Sequence, residues 1–187
     1  MVRLLTASDG LVAGYVAGAR GRTLRPVLIP GNTVLAELRS RSDSQLPFAR
    51  VELAVSRGPW LGEPLASAAI DWTCALTAAV LPEGHPYPAL HSALSAVLEA
   101  VCHAPFARGW TVALARYEAL MLREMGYGED GPEARTPADW VPLMALLDRQ
   151  GQRLGAHLLA DRRRDVMGAR AILIDRLRRI AGDLPGT

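Results

Sequence analysis

Over residues 33–38 the chain alternates. Val34, Ala36 and Leu38 fall on one side and Thr33, Leu35 and Glu37 on the other, the period of two that marks a strand with one buried face. The alternation returns over residues 48–55, with Val51, Leu53 and Val55 on one face and Arg50, Glu52 and Ala54 on the other. Residues 2–7 and 11–17 are rich in β-formers and flank Asp9-Gly10, which reads as a two-residue hairpin turn because both central positions favour positive φ. Val27-Leu28-Ile29 reads as a short strand ended by Pro30-Gly31, and residues 18–22 and 39–45 read as loops. Five short strands at the start of the chain predict a small barrel or a curled sheet.

The pattern then changes period. Near Gly58-Pro59 alanine and leucine take over, which places a domain boundary at residues 57–62. Glu63-Pro64 opens a helix whose Leu65, Ala69, Trp72 and Leu76 share a face. After the proline-rich loop 81–88, Leu90, Leu94, Val97, Leu98 and Val101 form a second stripe. A third contains Trp110, Leu114, Tyr117, Met121 and Met125, with Gly126 as its stop. Asp139 is placed to cap a fourth helix carrying Leu143, Met144 and Leu147, and Leu154, His157 and Leu158 continue a helical face after Gly151. Ile172, Leu173, Leu177 and Ile180 mark a last helix. The expected architecture is α+β: a β domain at residues 1–57, then an all-helical domain at 62–187.

Composition adds limits. Half of the 187 residues are hydrophobic and 21% are charged, the profile of a folded chain. No stretch long enough to span a bilayer is free of both charge and helix breakers, and the N-terminus lacks the apolar core of a secretory signal. Two cysteines, Cys74 and Cys102, cannot build a disulfide framework, so a reducing cytoplasm is expected. All 21 basic residues are arginine, which a GC-rich genome accounts for. Their placement is the more informative feature. Residues 1–60 hold eight arginines against four acids, net +4; residues 61–148 hold four against eleven, net −7; residues 149–187 hold nine against four, net +5. Basic blocks at both ends suit a polyanion, although solvated faces would show the same counts.

Enzyme signatures are missing. There is no Gly-x-Ser-x-Gly elbow, no lysine for a phosphate loop and no Gly-x-Gly-x-x-Gly. His91 and Cys102 would stand about 16 Å apart on one helix, too far to share a metal ion, so no metal and no cofactor are expected. His157 and Asp161 lie one helical turn apart, a spacing more usual for a surface pair than for an acid–base dyad. The strongest local candidate is the loop between two strands that carries Arg20, Arg22 and Arg25 among glycines. Guanidinium groups and exposed backbone N–H groups bind phosphate. The first 60 residues hold only Tyr15, Phe48 and Trp60 as aromatics, and Phe48 suits the core, so binding there should be mainly electrostatic. A solvated basic loop is the alternative.

The order of these elements resembles the RecO family of bacterial DNA repair proteins. The resemblance rests on three runs. The first is Leu5-Thr6, Gly10, Gly18-Ala19-Arg20 and Arg25-Pro26-Val27-Leu28-Ile29-Pro30-Gly31-Asn32. The second is the helix end Arg116-Tyr117-Glu118-Ala119-Leu120-Met121-Leu122-Arg123-Glu124-Met125-Gly126-Tyr127. The third, weaker, is Leu154-Gly155-Ala156-His157-Leu158-Leu159. Each is unspecific alone; together they reach from residue 2 to about 180. The resemblance implies an OB-fold-like barrel followed by a helical domain, and a non-enzymatic recombination mediator. Such a protein binds single- and double-stranded DNA and anneals strands. It contacts RecR and the acidic C-terminal tail of single-stranded DNA-binding protein, and helps load RecA. It implies Arg20, Arg22 and Arg25 in the DNA-binding loop, Arg39 and Arg41 in the next basic turn, and Arg116 and Arg123 toward a protein partner. No membrane and no small-molecule substrate are implied, and the location would be cytoplasmic with the nucleoid. Two departures stand out. Family members usually begin with a further strand upstream, so the start codon is misassigned or the barrel is incomplete. Many also carry a cysteine-bearing, sometimes zinc-binding insertion after Gly-Tyr, whereas here Gly128-Glu129-Asp130-Gly131-Pro132 runs on without cysteine, so zinc is not expected. The rival expectation is a degenerate relative that keeps protein contacts without DNA binding.

Overall fold

The computed structural model describes residues 1–40, 45–104, 106–128, 136–160 and 166–182. Strands β1 (Val2–Thr6) and β2 (Gly10–Gly14) form one antiparallel pair, and β3 (Thr33–Arg39) and β4 (Phe48–Val55) form another. The first turn is not the two-residue type. Thr6 pairs with Gly10, leaving Ala7, Ser8 and Asp9 as a three-residue loop with Gly10 at φ +70°. The Thr6 hydroxyl accepts the Asp9 N–H at 2.9 Å and stiffens that loop.

The expected barrel is not formed among the described residues. Two backbone bonds join the pairs, the Ala49 N–H donating to the Tyr15 carbonyl and the Tyr15 N–H to the Pro47 carbonyl, both at 2.8 Å, and Val2 and Leu4 of β1 share a small core with Val34 and Leu38 of β3. One predicted strand is absent: Val27-Leu28-Ile29 lies in a run of turns, with Val27 and Leu28 N–H groups both donating to the Leu24 carbonyl at 3.0 Å. Leu24, Val27 and Leu28 recur at i, i+3, i+4 and pack together on a small core of Val16, Ala49 and Val51. Helical spacing, not β-propensity, decided that segment.

Five helices follow: α1 (Pro64–Val80), α2 (Pro88–His103), α3 (Ala107–Glu124), α4 (Trp140–Arg153) and α5 (Met167–Gly182). A single 3-10 turn, Gly58–Gly62, leads into α1. The predicted stripes line the main core, where Trp72, Leu76, Leu90, Leu114, Tyr117 and Leu147 are fully buried. The α1 helix is buried on more than one side, since Ile70, Thr73 and Thr77 join the expected residues. Its threonines return their hydroxyl protons to carbonyls one turn back, Thr73 to Ala69 at 2.8 Å and Thr77 to Thr73 at 2.6 Å. Gly126 ends α3 at φ +84°, as expected. Asp139 occupies the position before α4, but its side chain makes no cap hydrogen bond.

Gly151 does not interrupt the helix, which runs through it into a π-helical turn at Leu154–Leu159. A Cβ there would lie 2.1 Å from Nη1 of Arg170, so the glycine makes room for a guanidinium. Arg170, on α5, is 5% exposed and grips fully buried Glu118 with two bonds, Nε to Oε1 at 3.0 Å and Nη2 to Oε2 at 2.8 Å. Its Nη2 also reaches the Leu147 carbonyl at 2.6 Å, and the Trp72 indole N–H donates to Glu118 Oε1 at 2.8 Å. One ion pair thus ties α1, α3, α4 and α5. This explains a departure on α5: Ile172, predicted inward, is 54% exposed, and Arg170 and Ile174 are buried instead.

The β1–β2 hairpin packs on both cores, with Val2 and Leu4 on the β side and Leu5 and Leu11 on the helices. Leu11 is buried in their core, its carbonyl accepts the Gly84 N–H at 2.9 Å, and Arg3 bonds to the Ala78 carbonyl and to Glu83. Gly10 lies so close to the loop before α2 that a Cβ would sit 1.9 Å from the His85 carbonyl oxygen. Gly10→Ala adds this overlap to a left-handed backbone, so a loss of about 2–4 kcal/mol is expected in urea unfolding. Farther along, Arg57 crosses between the two cores. Its backbone N–H donates to Asn32 Oδ1 at 2.8 Å, its Nη1 to the Gly31 carbonyl and to Thr33 Oγ1 at 3.1 Å, and its Nη2 lies 3.7 Å from Glu99 on α2.

Candidate nucleic-acid interface

The arginine loop leaves β2 at Gly18, which adopts φ +69°. Its backbone closes on itself, with the Gly21 N–H donating to the Gly18 carbonyl at 2.7 Å and the Arg25 N–H to the Gly21 carbonyl at 3.0 Å. The far end is pinned by Asn32, whose side-chain amide donates to the Pro26 and Val27 carbonyls at 3.0 Å each. Backbone bonds thus satisfy the loop internally, and its long side chains are left to solvent. The side chains of Arg20, Arg22 and Arg25 are all exposed, and none of them makes a hydrogen bond or ion pair among the described residues. Three charges without counter-ions on one short loop form a concentrated positive site.

Arg39 stands differently. It is on the outer face of β3, where its Nε and Nη2 donate to Glu37 Oε1 at 2.9 and 2.7 Å. Arg50, opposite Glu37, lies 3.8 Å from Glu52. The outer face of this ribbon therefore alternates in sign and is close to neutral. Arg41 lies outside the described residues.

The structure adds two residues. Tyr15 and Phe48 meet edge to face, ring centroids 5.6 Å apart, and are 47% and 50% exposed. A shallow depression of about 320 Å³ lies beside them, lined by Ala17, Glu37, Arg39, Phe48, Ala49 and Arg50. The strand pattern carried the signal: Phe48 has the parity of Arg50 and Glu52, the outward set, and so was never a core position.

On the helical side, Arg116 and Arg123 are exposed on α3, two turns apart on one face, and their side chains make no ion pair or hydrogen bond among the described residues. The segment after Gly128 lies outside the described residues, as do Asp161 and Arg162-Arg163-Arg164. His157 stacks on Tyr127 instead, centroids 4.7 Å apart and planes at 11°. Neither cysteine is prepared as a nucleophile. Burial pushes the Cys74 thiol up to about 11, with Asp71 adding to the shift, and burial also raises Cys102. Among the described residues no three His, Cys, Asp or Glu side chains converge, and no helix is long and apolar enough to cross a membrane.

Comparison with known proteins reaches both parts. Residues 61–131 match the family model described as Recombination protein O C terminal. The chain is similar to the DNA repair protein RecO of Phenylobacterium zucineum, 36% identical over 132 residues, covering 70% of this chain and 53% of that protein. It is similar to that of Caulobacter vibrioides, 34% identical over 154 residues, covering 81% and 62%. It is also 40% identical over 129 residues to that of Rhodospirillum centenum, covering 68% and 50%. The match thus spans between half and two thirds of these relatives' own length.

Proposed function

The chain belongs to the RecO family, and on that premise we propose that it is a DNA repair and recombination mediator that acts by binding DNA rather than by breaking bonds. In this reading residues 1–57 hold nucleic acid, single- or double-stranded, and residues 62–187 meet other proteins. Arg20, Arg22 and Arg25 neutralise phosphates, and Tyr15 and Phe48 offer ring surface to unstacked bases. The single observation that carries the reading is the exposed, unpaired state of the three loop arginines. Arg39, already engaged by Glu37, contributes less. Arg116 and Arg123 present the charge that an acidic peptide needs, such as the tail of single-stranded DNA-binding protein. RecR is the second partner of this reading, and strand annealing and RecA loading are its outcomes.

The test is fluorescence anisotropy of a labelled single strand across a salt series. Binding that weakens steeply with salt supports the proposal. No binding at low salt, with an acidic-tail peptide or RecR still captured, would instead identify an interaction module without DNA affinity. Phe48→Ala is expected to lower single-strand affinity by about 1–2 kcal/mol with the salt slope unchanged, because a lost stacking surface releases no counterions. The same titration measures both quantities.

A further inference from the structure

The Tyr127–His157 stack has no role in the packing of the main core, yet three structural devices hold it in place. Gly126 turns the chain at φ +84° just before Tyr127. Arg153 Nη2 donates to the Tyr127 carbonyl. His157 sits in the π-helical turn that continues α4, a form of helix that recurs at functional sites. Both rings remain exposed, Tyr127 at 40%. Arg149, Arg153 and His157 follow one another at four-residue spacing, and Arg149 is exposed with no ion pair or hydrogen bond among the described residues. Among the described acids of α3 and α4, Glu118 and Asp148 are engaged by Arg170 and Arg178, and Glu124 is exposed.

From this we infer a second contact for single-stranded nucleic acid on the helical part: a base stacks on the Tyr127–His157 pair, held by Arg153, while Arg149 faces the adjoining phosphate. The inference rests on the reading that the chain binds single strands. A nucleobase fits better than an acidic peptide because a carboxylate would leave the ring pair unused, whereas a base uses its face and its phosphate uses Arg149.

Two measurements test it on the full chain. The first is photocrosslinking of a single strand of about 30 nucleotides carrying 5-bromodeoxyuridine, longer than the roughly 4–16 nucleotides that one small β-barrel holds. Mass spectrometry should find the crosslink on the peptides bearing Tyr127 or His157. The second is anisotropy with that strand and with one of about 8 nucleotides, a length within a single β-barrel site. Tyr127→Ala and His157→Ala should weaken the long strand about 5- to 30-fold and leave the short one unchanged, while Tyr127→Phe retains affinity. Full affinity of the alanine variants for the long strand, with crosslinks confined to residues before 57, overturns the inference and leaves the proposed function standing. Loss of acidic-peptide binding in these variants with unchanged DNA affinity overturns it in favour of a protein contact. If no strand binds the unsubstituted chain at all, both readings fall.

Discussion

Replacing Arg20, Arg22 and Arg25 together with alanine is expected to weaken single-strand binding on the order of 100-fold at about 50 mM salt, at about 1 kcal/mol for each lost charged contact. The salt dependence should change as well. Each phosphate neutralised on a single strand contributes about 0.7 to the slope of log K against log salt, so the slope should fall by about 2. The two titrations should therefore converge as salt rises. Stability should not follow affinity. The three side chains are exposed and make no bond among the described residues, so the unfolding midpoint should stay within about 0.5 kcal/mol of the parent. An unchanged slope would mean that other groups hold the phosphates.

Glu118→Ala should produce the largest loss of stability. It leaves the Arg170 guanidinium buried beneath Trp72 with only the Leu147 carbonyl as partner. Breaking one side of a buried pair costs about 3–5 kcal/mol, because the surviving charge remains desolvated. For a chain of this size that lowers the melting temperature by roughly 10 °C. Chemical denaturation measures it directly. Gly151→Ala should act through the same guanidinium, which would have to leave its position. The double change Glu118→Leu with Arg170→Met should recover most of the loss, since apolar groups of similar volume need no counter-charge. If the double variant is as weak as Glu118→Ala, the damage lies in packing rather than in the stranded charge.

The helices were legible in the sequence because their apolar residues recur every three or four positions and proline or glycine marks their ends. What escaped was set by contacts between distant segments. The helical face was read as continuing past Gly151, but why a glycine stands there is explained only by Arg170, nineteen positions on. The burial of Glu118 likewise depends on Arg170 and Trp72, which lie far from it in the sequence. In the β part the alternation held for Val34, Leu38 and Val51, while Ala36, Leu53 and Val55 are exposed, and β-forming side chains at 27–29 outweighed the helical spacing of Leu24, Val27 and Leu28. The candidate loop was visible as arginines among glycines. That Arg39 differs from its neighbours could have been read from parity, since Glu37 lies on the same face of the strand. The pairing of Tyr15 with Phe48 could not, because it depends on how the two ribbons meet.

Leu11 sits among helical side chains although it precedes the change of composition by more than forty residues. A shortened chain that begins at residue 62 would therefore lose Leu11 from its core and the hairpin's bonds to Ala78, Glu83 and Gly84, and a fragment that stops at 57 would present Leu11 to water. The first hairpin is a shared wall, so gene truncation at the visible seam is not expected to yield two self-sufficient pieces.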